Sequence, residues 1–473
     1  MARALANREQ AHAPQSAANL IDIALRHDGS RLRRSSPATP ATGERDSTVT
    51  TVLAGPVVTG TDVREREEID PPATAGSSVP ALRELLDGWL VRHESQLVTL
   101  RRRIHAHPEP SGEERATAAL VAGRLRAAGL RPRLLSAKNG VICDIGSGDR
   151  MVALRADLDA LPLPDTKDVP YRSTVDNVCH ACGHDVHTAI LVGVGRVLAE
   201  LAKAGQLPGR VRLIFQPAEE RLPSGAPEVI AEGGLKDVES IFALHCFPGL
   251  AAGYVATRSG PITAATDKFD IRLAGPGGHT ARPHLTVDLA YALGRIVVEV
   301  PALLTRRLDP RSSASMVFGA IQVGEAHNAI AVEGHARGTV RVLNHDAWRL
   351  LPDLVPRLIR DVVAGTGADI EIDYVRGVPP VVNDRATTAI VEAAATAALG
   401  PGRVSEAELS MGGEDFSFYL DHVPGSMFRL GTRVPGASEP MDIHQSSFDV
   451  DEAAIGTGVR VMVHTAVEAL SRA

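Results

Sequence analysis

The sequence predicts an α/β protein: a mostly parallel sheet covered by helices, into which a second, smaller α/β unit is inserted. Three observations carry this. Short apolar runs at 151–154, 211–215 and 241–244 alternate with a helical stretch at 185–204, the signature of buried parallel strands joined by helices. Residues 267–374 then change pattern and read strand, helix, strand, strand, helix, strand. After Pro379-Pro380 a helical pattern returns at 387–399, followed by further site-like residues, so the first unit resumes.

Residues 1–80 are rich in Ala, Ser, Thr, Pro and Arg without a periodic apolar pattern, and such a segment cannot bury enough apolar surface to offset its ordering entropy. They read as a disordered extension or as a start codon placed too early. A targeting peptide is the alternative, because the first 40 residues hold more Arg than acid. Order begins near Pro80. Leu97, Leu100 and Ile104 repeat at helical spacing until Pro108 stops the helix. A second helix is opened by Ser111 with Glu114 three residues later, a capping box, and closed by Gly129. In the insert, Phe269, Ile271 and Leu273 alternate as a half-buried strand, 285–300 is helical, 316–323 and 336–343 are strands, 348–363 is helical, and 370–374 alternates again. That βαββαβ order is ferredoxin-like. The expected division is an extension at 1–80, a main domain at 81–265 and 377–473, and an insert at 266–376.

With 473 residues, 44% of them apolar, the chain is too long for one ordinary core. A net charge of -7, an aromatic content of 3% and the lack of basic clusters argue against a nucleic-acid-binding surface and for a small-molecule enzyme. No apolar segment is long enough to span a bilayer, since even 189–201 carries Arg196 and Glu200. Four cysteines, Cys143, Cys179, Cys182 and Cys246, with no charged-then-apolar start, point to a reducing compartment, and the cytoplasm is expected. Cys179-x-x-Cys182 could be half a zinc ribbon or a redox pair, but no second Cys-x-x-Cys completes a ribbon.

Each apolar run ends in acids or a histidine: Asp157 and Asp159 after the first, Glu219 and Glu220 after the second, His245 after the third. In open α/β sheets ligands bind beyond the carboxyl ends of the strands, so these residues should converge. Two adjacent carboxylates at the end of a buried strand repel and are costly to desolvate unless a cation or a shared proton compensates them. Cys182 and His184 supply a thiol and an imidazole to match. The bland readings are a solvated acidic pair for Glu219-Glu220 and a satisfied core histidine for His245. His187 reads as orienting or capping, His105 and His107 as the end of a helix, and Cys143, Cys179 and Cys246 as small buried residues.

Five motifs stand in order: Arg155-Ala156-Asp157-Leu158-Asp159, His180-Ala181-Cys182-Gly183-His184-Asp185-Val186-His187, Gln216-Pro217-Ala218-Glu219-Glu220, Gly277-Gly278-His279-Thr280-Ala281 and Gly412-Gly413-Glu414-Asp415-Phe416. With them the chain, over about residues 90–470, resembles the M20 family of metallopeptidases. The likeness is to its amidohydrolase branch of aminoacylases, hippurate hydrolases and indoleacetyl-amino-acid hydrolases. The resemblance implies a di-metal catalytic domain carrying the ferredoxin-like insert as a lid or dimerisation domain, and a homodimer. It implies metal ligands at Cys182, His184, Glu220, His245 and His444, with Asp157 and Asp159 behind or bridging them. Thiolate, imidazole and carboxylate together suit two divalent ions of the Mn²⁺, Zn²⁺ or Co²⁺ class.

The resemblance further implies Glu219 as the general base for metal-activated water attacking the amide of an N-acyl amino acid, with His279, Asn328 and Arg341 as substrate-binding residues. In that reading His279 reaches the partner's site, while Asn328 and Arg341 serve their own. A dipeptidase or carboxypeptidase with the same metals is the rival within the class. A binding protein with a spent metal site is the rival outside it, and the intact Glu219 argues against it. The chain departs from better-known members after Glu220, where Arg221-Leu222-Pro223-Ser224-Gly225-Ala226 replaces a glycine-rich stretch, and at 327–331, which lacks a proline.

Overall fold

The computed structural model describes residues 79–434, 436 and 441–472, so all but the last two residues of the expected extension at 1–80 lie outside the described residues. Helix α1 (Val79–Ala106) buries Leu86, Trp89, Leu90, Leu97, Leu100 and Ile104, an apolar stripe at three- and four-residue spacing. Pro108 follows its end.

Helix α2 (Arg115–Ala127) is not opened by the expected capping box. Ser111 Oγ instead donates to Asp159 Oδ2 at 2.6 Å, and Glu114 Oε1 accepts the N–H groups of Gly112 and Ala218 at 2.6 and 2.7 Å. Burial pushes the Glu114 carboxyl up to about 7 despite these bonds. The free amides of Ala116 and Thr117 are taken by Glu109, at 3.0 and 2.7 Å. The correction has a physical cause: Ser111 and Glu114 satisfy polar groups in the interior, and a carboxylate from the preceding loop does the capping.

The main domain continues through β1 (Val141–Gly146), β2 (Met151–Asp157), α3 (His184–Lys203), β3 (Arg210–Gln216), β4 (Ser240–Ala251) and β5 (Val255–Thr257). The insert follows as β6 (Ala265–Ala274), α4 (Leu289–Arg307), β7 (Ser315–Val323), β8 (Glu333–Val342), α5 (His345–Val363) and β9 (Asp369–Val378). The chain returns through α6 (Arg385–Leu399), β10 (Gly425–Arg433) and α7 (Ala453–Ser471).

The large sheet has eight strands, in the order Arg133–Leu134, β1, β3, β2, β4, β10, β5, Val404–Glu406. Strands β3, β2, β4 and β10 run parallel at its centre, whereas β1 and β5 run antiparallel to their inner neighbours. Residues of α1, α3, α6 and α7 pack on one face and the short helices Ala226–Ala231 and Ser417–Leu420 on the other. In the insert the order is β7, β8, β6, β9, all antiparallel, with α4 and α5 filling one face. The other face is open. Among the described residues no helix is long and apolar enough to cross a membrane.

Helix α3 is anchored where the site begins. Asp185 Oδ2 lies 2.7 Å from Arg101 Nε and 2.8 Å from His105 Nδ1, while His105 Nε2 lies 3.2 Å from Asp165. Arg101 and Asp185 are buried, and their attraction outweighs the desolvation that opposes both charges, holding the Asp185 carboxyl well below its ordinary range. Asp185→Ala would remove the fully buried acid shared by Arg101 and His105, leaving Asp449 and Glu452 to the one and Asp165 to the other, an expected loss of about 3 kcal/mol, the low end for a broken buried pair. Chemical denaturation measures this, and an unchanged midpoint would show that the pair does not hold α3.

Candidate metal centre

Because β2, β3 and β4 run parallel, their carboxyl ends open on one side of the sheet. Asp157 closes β2, Gln216 closes β3 and His245 lies within β4. After Gln216-Pro217, Ala218 adopts a left-handed φ of 54°. That is unfavourable for a residue with a Cβ, and it turns Glu219 and Glu220 into the crevice. From the facing side, Gly183 precedes α3 at φ 89°, and a Cβ there would lie 2.8 Å from Cys246 Sγ. The turn therefore requires glycine and places Cys182 and His184 on either side of it. His444, also left-handed at φ 63°, is fixed by its N–H donating to the Ala181 carbonyl at 2.7 Å.

The five candidate ligands meet in two overlapping sets. One donor atom each of Cys182, His184 and His245 lies within 4.8 Å of the others, and the same holds for Cys182, Glu220 and His444. The hydrogen bonds of the imidazoles decide which nitrogen faces inward. His184 Nδ1 lies 3.0 Å from the Asp159 carbonyl and 3.1 Å from Asp159 Oδ1, leaving Nε2 toward Glu220 at 3.9 Å and Asp157 at 3.7 Å. His245 Nδ1 lies 2.8 Å from the Cys246 carbonyl, leaving Nε2 3.5 Å from Cys182 Sγ. This is how metal-binding histidines are oriented. His187 differs: Nδ1 binds Asp157 Oδ1 at 2.7 Å and Nε2 accepts the Cys246 N–H at 2.8 Å, so no lone pair remains for an ion.

These residues fit a cation by their own chemistry. Among buried polar atoms, His184 Nε2 and Glu220 Oε1 have no hydrogen-bond partner, and His444 Nε2 stands 3.1 Å from that same Glu220 oxygen without hydrogen-bond geometry. Burial opposes a charge on His184, yet Asp157, Asp159 and Glu220 hold its pKa up to about 10. A divalent ion on the same atoms would take that proton's place. Burial, and then the neighbouring Glu220, Glu219 and Asp157, push the Cys182 thiol well above its usual range. A coordinated ion reverses this by deprotonating a ligating thiol.

Behind the ligands lies a network organised by Arg155, a buried charged residue directly after the apolar run of β2. Its guanidinium reaches Asp157 at 2.7 Å, Asp415 at 2.8 Å and Glu414 at 3.2 Å, while its Nε donates to Gln216 at 3.0 Å. Asp415 also accepts from Gln216 Nε2 and from the Ala226 N–H, and its own N–H approaches Glu219 Oε1 at 3.4 Å. Sequence reasoning gave Arg155 no role, although an arginine directly after such a run was the signal. Loop 410–415 also holds the insert, where Arg341 donates to the Met411 carbonyl, and the segment leading into it, where the Ala264 N–H donates to the Gly412 carbonyl at 3.1 Å.

Of the expected substrate-binding residues, Arg341 lines the same cleft as Cys182, Glu219, Glu220, His245 and His444. His279 and Asn328 do not. His279 pairs with Ala329 in a two-stranded ribbon, and the Asn328 carbonyl accepts from the Thr280 N–H. Asn328 thus sits beside His279 in the ribbon.

A profile of peptidase family M20/M25/M40 matches residues 153–468. The chain is 44% identical over 371 residues to a Rhodococcus jostii protein described as a candidate glutamate–cysteine ligase, covering 78% of this chain but 46% of that one. It therefore spans about half the length of that relative. It is 35% identical over 388 residues to the N-acetyl-L-cysteine deacetylase of Bacillus subtilis, covering 81% of this chain and 91% of that one. Among solved structures it resembles a Bacillus subtilis dinuclear metal-binding peptidase of the M20 family, with a TM-score of 0.68 and 32% identity over 80% of this chain and 98% of the other.

Wild-type protein should bind two divalent ions per chain. Glu220→Gln and Cys182→Ser should each lower the stoichiometry or weaken binding by at least about tenfold, since an amide or alcohol replaces an anionic donor. Metal analysis after equilibrium dialysis reads this out, and undiminished content in either variant strikes that residue from the ligand set.

Proposed function

The chain belongs to peptidase family M20/M25/M40, and we propose that it is an amidohydrolase releasing the acyl group of N-acyl amino acids. One observation carries this: Glu219, beside the candidate ligand Glu220, is a carboxylate left without a fixed partner in the ligand cleft, apart from a long 3.4 Å approach by the Asp415 amide. A purely binding site has no use for such a group; hydrolysis needs a base.

Two bound divalent ions of the Mn²⁺, Zn²⁺ or Co²⁺ class would supply Lewis acidity toward the amide carbonyl and a lowered pKa for water. The protein's own groups do the rest. Glu219 takes the proton of the attacking water and passes it to the leaving nitrogen. Burial, with Glu414, Glu220 and Asp415 nearby, pushes its carboxyl well above the ordinary range, so it holds a proton readily, and the positive charge of bound ions draws it back toward the carboxylate form. Arg155 fixes Asp157 and Asp415, and through Asp415 the amide that faces Glu219. Arg341 is placed to take the substrate's α-carboxylate.

His279, on the insert but outside the ligand cleft and beside Asn328, fits a homodimer in which it serves the neighbouring subunit while Arg341 serves its own. The antiparallel sheet of the insert ends in the edge strands β7 and β9, which are available for such pairing. Four free, buried cysteines fit a reducing location, and we assign the protein to the cytoplasm.

Glu219→Gln should retain both ions while kcat falls by about 10²- to 10⁴-fold, the usual contribution of a positioned base. Retained turnover with full metal content would remove Glu219 from that role. For the dimer, inactive His279→Ala and Glu219→Gln subunits are mixed: activity should reappear in the heterodimer, and a silent, verified heterodimer refutes the shared site.

A further inference from the structure

Besides the ligands, the catalytic cleft is lined by three cationic side chains, Arg221, Lys268 and Arg341. None is ion-paired among the described residues: of the acids that line the same cleft, Glu414 lies 3.2 Å from Arg155, Glu220 lies 3.1 Å from His444, and Glu219 faces the Asp415 amide. Arg341 donates to neutral oxygens, Thr266 Oγ1 at 3.0 Å and the Met411 carbonyl. Burial pulls its pKa down, with no acid to offset that.

Arg221 is the first residue of the stretch that departs from better-known members, and its head group has a floor. It lies over Gly112, where a Cβ would come within 2.4 Å of the guanidinium and where φ is 87°. Lys268 comes from the opposite wall: Thr266 and Lys268 on β6 and Arg341 on β8 share the open face of the insert, with Arg341 in register with Thr266. Arg221 and Lys268 are exposed, and exposed cations are usually just solvated. These two face one cleft, in a protein of net charge -7, beside a third unpaired cation. Like charges gathered in one cleft with no acid paired to any of them repel, and a bound anion relieves that repulsion.

We propose that the cleft selects amides bearing two anionic groups, a carboxylate taken by Arg341 and a second one taken by Arg221 and Lys268. This rests on the amidohydrolase reading and adds the substrate class to it. The second carboxylate can stand on the amino-acid side chain, as in an N-acyl glutamate, or at the far end of a dicarboxylic acyl group, as in an N-succinyl amino acid. The recognition chemistry is the same, an arginine fork and an ammonium on a carboxylate.

The test compares kcat/KM of the Mn²⁺-loaded enzyme for two matched pairs, N-acetylglutamate against N-acetylglutamine and N-succinylalanine against N-acetylalanine. One diacid should be preferred by roughly tenfold to a hundredfold, the effect of one charge-assisted contact, and which pair shows it identifies where the second carboxylate sits. In an Arg221→Gln, Lys268→Gln double variant that ratio should fall toward one. A wild-type ratio of one or less in both pairs overturns the proposal, as does a ratio that survives the double substitution. Hydrolysis of none of the four by enzyme holding both ions overturns the amidohydrolase reading itself.

Discussion

Buried negative charge is the constraint around which this molecule is arranged. Asp157, Asp159, Glu414 and Asp415 are almost inaccessible to solvent, Cys182 is nearly so, and Glu219 and Glu220 are half-buried at the same sheet end. So many acids cannot all be ionised in one low-dielectric place unless positive charge is brought to them. Arg155 provides part of it and holds three of the acids at bonding distance. The inward Nε2 atoms of His184 and His245 and the Cys182 sulfur provide the means of holding more. The left-handed backbone at Ala218 and His444 belongs to the same account. Strain of this kind persists only where the surroundings over-determine it, and here the Ala218 N–H donating to Glu114 and the His444 N–H donating to the Ala181 carbonyl do so.

The two domains share this centre. The main domain supplies the candidate ligands and the candidate base, whereas the open face of the insert supplies a wall. What makes one face of the insert available is simple alternation along β6: Phe269, Ile271 and Leu273 go to the helices, and Thr266 and Lys268 are left for the cleft. A single antiparallel sheet thereby serves as a core on one side and a binding surface on the other.

Much of the fold was legible because its signals are local. Apolar runs gave β2, β3 and β4, and alternation gave the order of strands and helices in the insert. Strand β10 was not foreseen: Gly425, Ser426, Arg429, Gly431 and Thr432 interrupt its apolar residues, and only its place between β4 and β5 makes it a central strand. Ser111 and Glu114 misled for a related reason, since a capping motif is read from spacing while the competing partners, Asp159 and Ala218, lie far along the chain. The candidate ligands could be picked out as a set from their motifs. Which ring nitrogen each histidine presents could not, because Asp159 and the Cys246 carbonyl decide it in three dimensions. The placing of Asn328 beside His279 likewise depends on a two-residue strand pairing that no pattern announces.

Loop 410–415 grips the insert at one end, through Arg341 on Met411, holds the segment leading into it through Ala264 on Gly412, and touches the candidate base at the other end, through the Asp415 amide on Glu219. Arg155, clamped to Asp415 at 2.8 Å, sits between as a fulcrum. A displacement of the insert would therefore be levered onto the seat of Glu219, so the surface that walls the cleft and the aim of the candidate base are mechanically one.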